Sequence, residues 1–441
     1  MGRAAAGGRG ADQGLHRVVP GGERRPMIET AKLDCGIRLV TEHMPGVRSV
    51  CTGFWVGTGS RDESGPQVGI SHFLEHLLFK GTPTRSARSI AEDVDAVGGD
   101  MNAFTTKEYT TFYVRTLADH LELGLDILSD ILWNPALRPD EVDAERQVIL
   151  EEVLMHLDEP ADVVQERFAE ALFPGHPLGR EVLGLPEVIA NVSVPEIRSF
   201  FADHYRPGNI VVAVAGDVEH GRIAEGIERR FAGSAAGSPP VRDAPGDEVR
   251  SLDVTSRDTE QAHLVVGVRG PERRSPDRFA LSLLNHSLGG GISSRLFQKI
   301  REERGLAYSV VSDRVAYADT GALAVSVGTA PERIKEVLRL VLDEIEDLAA
   351  KGVTKEELEL AKGHLRADTI LSLEESGARM SRIGASLLLH GEVPSIEEIT
   401  AKIDAVTLEQ VAEVASRVLG GQRVLAVVGP FSAEELSSEI G

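Results

Sequence analysis

Apolar and polar positions change period along this chain in an order that repeats. Residues 36–59 alternate with period two, Ile37, Leu39 and Val40 leading into a Met44-Pro45-Gly46 turn and then a β-rich run over 50–56, so two strands are expected. From Gly69 to Gly81 the period becomes helical, with Phe73, Leu74, Leu77 and Leu78 as its core side. A second helix is expected over 82–97, ended by Gly98-Gly99, then a hairpin over 102–114, and a helix over 117–132 carrying Leu121, Leu125, Leu128 and Leu132. After Pro135 and Pro139 a long helix runs from near Asp140 toward His156, with Val142, Ile149, Val153 and Met155 as its apolar contacts.

The second half returns to the same design. Ser193-x-x-Glu196 and Thr407-x-x-Gln410 are capping boxes, each opening an amphipathic helix that leads to an uninterrupted apolar strand, 209–216 and 423–429. Residues 288–324 repeat the helix, turn and hairpin that surround the histidine stretch of the first half. The pattern predicts a tandem duplication: two α+β domains, 28–231 and 249–441, each a sheet with helices packed on it. Between them 232–248 is rich in Gly, Ser and Pro, the composition of an exposed linker.

Composition narrows the function. A chain of 441 residues is too long for one ordinary core. Its net charge of −22 argues against nucleic acid, which needs clustered Lys and Arg, and favours cationic ligands such as basic peptides. The longest apolar runs, such as 210–215, are strand-sized, so no membrane span is expected. Only Cys35 and Cys51 occur, which excludes a thiolate zinc site and fits a reduced, cytoplasmic setting. Residues 1–27 carry no apolar signal core and are read as a disordered extension.

The chemistry concentrates in Gly69 to Gly81. On a helix, His72 and His76 share one face and Glu75 sits at its edge, so two imidazoles and a carboxylate converge. That is a zinc-chelating pair with a general base beside it, in the reversed order His-x-x-Glu-His. Glu145 and Glu152, seven residues apart on the long helix, form a stripe that would be an ordinary solvated face unless the histidines need a third ligand. Gly289-Gly290-Gly291 precedes a helix but lacks the Gly-Lys-Ser/Thr of a phosphate loop, so close packing or a flexible substrate-facing loop is expected there.

His72-Phe73-Leu74-Glu75-His76, followed by Phe79-Lys80-Gly81-Thr82 and by Glu152 in Val148-Ile149-Leu150-Glu151-Glu152, resembles the pitrilysin family of inverted-motif zinc peptidases, in its processing-peptidase-like bacterial branch. The resemblance covers about residues 28–432. It implies two homologous domains, each a mostly antiparallel sheet packed with helices, arranged as a clamshell around a peptide. It further implies one Zn2+ per chain on His72, His76 and Glu152, with Glu75 as general base and Glu145 supporting the site. Arg301 and Tyr308 match the family's Arg-x6-Tyr element, implied to reach the active site of the other domain. Asn102-Ala103-Phe104 resembles the edge strand that pairs with an extended substrate, and His176 is read as structural. Peptides or unfolded segments are then the expected substrates, and a homodimer the expected assembly. Deleting everything after the linker is expected to remove activity but leave zinc bound. The rivals are a non-catalytic core or regulatory subunit of the same fold, and a processing enzyme that needs a separate regulatory subunit.

Overall fold

The computed structural model describes residues 27–234 and 236–437; of the extension expected over 1–27, residues 1–26 lie outside them. The first half runs β1 (Ile28–Lys32), β2 (Arg38–His43), β3 (Ser49–Val56), α1 (Ile70–Leu78), α2 (Ala87–Asp95), β4 (Asp100–Thr105), β5 (Thr110–Leu117), α3 (Leu121–Trp133), α4 (Pro139–Asp158), α5 (Pro160–Leu172), α6 (Pro186–Asn191), α7 (Val194–His204), β6 (Ile210–Gly216) and α8 (His220–Arg230). The second runs β7 (Leu252–Ser256), β8 (Ala262–Gly270), α9 (Arg278–Leu288), a π-helical turn (Phe297–Glu302), β9 (Ala307–Ala316), β10 (Gly321–Thr329), α10 (Ile334–Lys351), α11 (Lys355–Leu371), α12 (Ser376–His390), α13 (Ile396–Asp404), α14 (Leu408–Leu419), β11 (Arg423–Gly429) and α15 (Ala433–Ser437). The expected helix over 82–97 begins only at Ala87, because Pro83 and a bridge between Gly81 and Ser86 hold its start in a turn.

Strand order bears out the duplication. The first sheet reads β1-β2-β6-β3-β5-β4 and the second β7-β11-β8-β10-β9. Removing β1 leaves the same order, and in both sheets one parallel pair, β2 with β6 or β7 with β11, stands among antiparallel neighbours. Each sheet is therefore mostly antiparallel.

The two uninterrupted apolar strands have a specific cause. Ile210, Val212 and Val214 of β6 face the helices of their own half, while Val211, Ala213 and Ala215 face Met380, Ile383 and Leu387 of α12 from the other half. Likewise Leu425 and Val427 of β11 face their own helices, and Val424, Ala426 and Val428 face Val164, Phe168 and Ala171 of α5. A strand covered on both faces loses the apolar/polar alternation of a one-sided sheet. The halves thus exchange helices: α5 follows α4 and covers the second sheet, and α12 follows α11 and covers the first.

Charges reinforce the exchange. Glu42, buried on β2, is paired with Arg379 and Arg382 of α12. Glu108, buried in the β4–β5 turn, is paired with Arg61, with Arg242 of the linker and with Arg273 of the second half. Burial alone would raise the Glu108 carboxyl, but Arg273 and Arg242 hold it below its ordinary value. Arg61 in turn spans to Asp319 at 2.5 Å, and Arg242 to Asp62 at 2.7 Å. The linker is exposed over most of its length, yet these contacts pin it.

Gly289 and Gly290 behave as expected of close packing, since a Cβ on either would lie within 3 Å of Ser312 or His286. On α4, Val142, Ile149 and Val153 are core as expected, but Met155 is 72% exposed. Val148 and Leu154 of the same helix are exposed as well.

Candidate metal centre

The site is built by docking α1 on α4 with their polar stripes facing. Ile70, Phe73, Leu74, Leu77 and Leu78 bury in the core of the first half and so fix the rotation of α1. Its start is over-determined. Gly69 has φ +98°, and a Cβ there would meet Gly184 and Ile189, so this position admits only glycine without rearrangement. Glu63 replaces a conventional cap: its two carboxylate oxygens accept from the Gly69 and Ser71 amides, each at 2.7 Å.

Burial, against those two amides, pushes the Glu63 carboxyl up from 4.5 to about 7. A carboxyl raised on folding holds its proton longer in the native state, so its contribution is fully present below pH 4.5 and is lost as pH rises through about 7. Urea midpoints at pH 5 and pH 8 are therefore expected to differ less in Glu63→Gln than in the wild type. An equal drop in both chains would show that Glu63 does not titrate in this window.

His72 and His76 leave α1 toward α4 with ring centroids 4.7 Å apart and planes at 70°. Glu152 Oε2 lies 3.7 Å from His72 Nε2 and 3.6 Å from His76 Nε2. One ligand atom from each residue falls within 4.8 Å of the others, a triangle that one ion with ~2.1 Å bonds can span. Glu151, the neighbouring carboxylate, is exposed and outside it.

Four further observations fit a metal. His76 Nδ1 donates to Glu145 Oε2 at 3.0 Å, which leaves the Nε2 lone pair facing Glu152. Glu145 is buried and paired with Lys80, so it is a fixed acceptor rather than part of a solvated stripe. Burial, and then the neighbouring His76, push His72 down to about 4, so it is neutral and free to ligate. Glu152 Oε2 is buried with no hydrogen-bond partner among the described residues, an orphan that an ion would satisfy.

Glu75 lies beside the triangle. Its Oε2 accepts from Thr105 Oγ1 at 2.6 Å, and burial raises its pKa. Thr105 ends β4, the sheet's edge strand, next to the expected substrate segment. There Ala103 faces the core, while Phe104 packs edge-on against Trp55. Asn102 Oδ1 accepts from the Ala103 amide at 2.8 Å.

Arg301 and Tyr308 are brought together with each other but not with this cluster. The Arg301 guanidinium lies 4.7 Å from the Tyr308 ring centroid and 4.8 Å from that of Phe297, and Tyr308, on edge strand β9, is 81% exposed. His176 is structural as read: its Nε2 meets the Asp243 carbonyl and its Nδ1 accepts from the Leu178 amide. Sequence reasoning missed Glu63, Lys80 and Thr105 as supports. Lys80 left a signal within Phe79-Lys80-Gly81-Thr82, and Thr105 as the residue following the edge-strand motif.

Residues 38–185 match the family model described as insulinase, peptidase family M16, and residues 191–365 match that of the peptidase M16 inactive domain. An uncharacterized zinc protease of Mycobacterium leprae is 44% identical over 405 residues, 91% of each chain. The chain belongs to peptidase family M16. Another M16 relative, the uncharacterized zinc protease YmxG of Bacillus subtilis, is 38% identical and covers 92% of this chain and 98% of its own. The M16 fold is shared with two solved structures. A peptidase M16 inactive domain from Pseudomonas fluorescens has TM-score 0.86 at 22% identity, covering 92% of this chain and 98% of that one. A protease from Helicobacter pylori has TM-score 0.83 at 24% identity, covering 92% and 100%. Within this M16 chain only the first half carries His-x-x-Glu-His.

Proposed function

We propose that the chain is a zinc-dependent endopeptidase acting on peptides or unfolded polypeptide segments. The observation that carries the reading is the convergence of His72 Nε2, His76 Nε2 and Glu152 Oε2 beside a Glu75 carboxylate already held by a hydrogen bond. His72, His76 and Glu152 would hold one Zn2+, with Glu145 fixing the His76 ring. When bound, the ion supplies Lewis-acid activation of a water and of the scissile carbonyl. Glu75 takes the proton from that water as it attacks and gives it to the leaving amine.

The substrate pairs as an added strand along Asn102-Ala103-Phe104. In the free chain Asn102 satisfies the Ala103 amide itself, and a substrate carbonyl takes that place. Main-chain pairing makes recognition broad, and the net charge of −22 biases it toward basic peptides. The exchanged helices tie the two halves, and Tyr308 lies open on an edge strand. Both support a homodimer in which Arg301 and Tyr308 of a second copy donate to the developing oxyanion. Among the described residues no helix is long and apolar enough to cross a membrane; a cytoplasmic enzyme fits the two buried, unpaired cysteines.

Stripping the metal with a chelator is expected to abolish cleavage of a quenched basic peptide, and one equivalent of Zn2+ to restore it. Cleavage that survives complete stripping would remove the metal from the reaction.

A further inference from the structure

A general base works only if one carboxylate oxygen is aimed at the attacking water, so whatever grips the other oxygen sets the rate. We infer that Thr105 is the positioning residue for Glu75, and that the strand which receives the substrate thereby also aims the base. The inference rests on the peptidase reading of the site.

Proton accounting supports it. Thr105 Oγ1 has two neighbours, Glu75 Oε2 at 2.6 Å and Thr110 Oγ1 at 3.3 Å. The Thr110 proton is already committed to the Thr58 carbonyl at 3.0 Å. Thr58 is itself anchored, its Oγ1 accepting from Asn209 Nδ2 at 2.9 Å, and Asn209 also donates to the His204 carbonyl at 3.1 Å. Glu75 Oε2, an ionised carboxylate oxygen with no proton to give, is also the nearer acceptor, so the single Thr105 proton goes to Glu75 as a short charge-assisted bond. Thr58, Thr110 and Asn209 are all buried, so the chain behind Thr105 is shielded from exchange with water.

Position adds the second half of the argument. Thr105 pairs with Thr110 as the last residue of β4, directly after Asn102-Ala103-Phe104. A peptide added to that edge orders the strand whose end grips Glu75. Substrate docking and base orientation are then mechanically one event, which a water-held carboxylate would not provide. The Tyr205 phenol is buried nearby, held above its ordinary pKa by burial and then by the Glu75 charge.

The test is steady-state cleavage of a quenched basic peptide by zinc-loaded wild type, Thr105→Val, Thr105→Ser and Glu75→Gln. Thr105→Val keeps the shape and removes the donor. It is expected to lower kcat about 10- to 100-fold at nearly unchanged KM and undiminished zinc content. Thr105→Ser, which restores the hydroxyl, is expected within about threefold of wild type. If Thr105→Val does not fold, Thr105→Ala is read by the same criteria. An active wild type matched by Thr105→Val overturns this inference alone, as does a rise in KM at constant kcat. Equal losses in the Val and Ser variants assign the residue to packing and overturn it as well. A zinc-loaded wild type that turns over no faster than Glu75→Gln overturns the peptidase reading and this inference with it.

Discussion

Glu75→Gln retains about one zinc per chain and loses peptide turnover by at least about 100-fold, the lower end of what a general base contributes. The expectation follows from where Glu75 stands. It projects beside the His72, His76 and Glu152 triangle without being part of it, so its charge is not needed to hold the ion. The amide keeps the volume and still accepts from Thr105 through its oxygen, but it cannot take a proton from water. Zinc by mass spectrometry and turnover on the same preparation separate the roles. Activity within a few-fold of wild type would remove Glu75 from the proton transfer, and loss of zinc would make it a ligand.

The second large effect concerns the halves. A chain ending at residue 231 is expected not to fold, rather than to survive as a zinc-binding but inactive domain. Without α12, the side chains of Val40, Cys51, Trp55, Val211, Ala213 and Ala215 lose Met380, Ile383 and Leu387. That leaves a continuous apolar sheet face in water, beyond what a monomer tolerates. Glu42 is simultaneously left without Arg379 and Arg382, and stranding one partner of a buried ion pair costs about 3–5 kcal/mol. On the other side α5 loses the sheet that Val164, Phe168 and Ala171 cover. Circular dichroism melting decides it. A cooperative transition in the truncated chain within a few degrees of the full one would show that the helix exchange contributes little.

That correction marks where the sequence ceased to be legible. The metal helix was readable because period, spacing and residue type agree in one short stretch: Phe73, Leu74, Leu77 and Leu78 fix a face, and His72, Glu75 and His76 must then share the other. The duplication was readable because capping boxes and apolar strands recur. Domain exchange was not, although it left a trace. The runs 209–216 and 423–429 lack alternation, which says that both faces are covered but not by what. Whether α12 covers its own sheet or its neighbour's is a matter of tertiary placement that no local pattern encodes. Met155 was misplaced for a related reason, since an apolar residue on a helix can stand exposed as readily as face a core. Thr105 and Glu63 escaped because their partners, 30 residues away for Thr105 and at the start of α1 for Glu63, meet them only in the folded chain.

The most direct measurement is turnover of one purified preparation before metal stripping, after it, and after titration with Zn2+. The account predicts cleavage that vanishes on stripping and returns in proportion to zinc, saturating at one equivalent per chain. Full zinc occupancy with no cleavage of any basic or unfolded peptide would contradict it and leave the chain a metal-binding protein without peptidase activity.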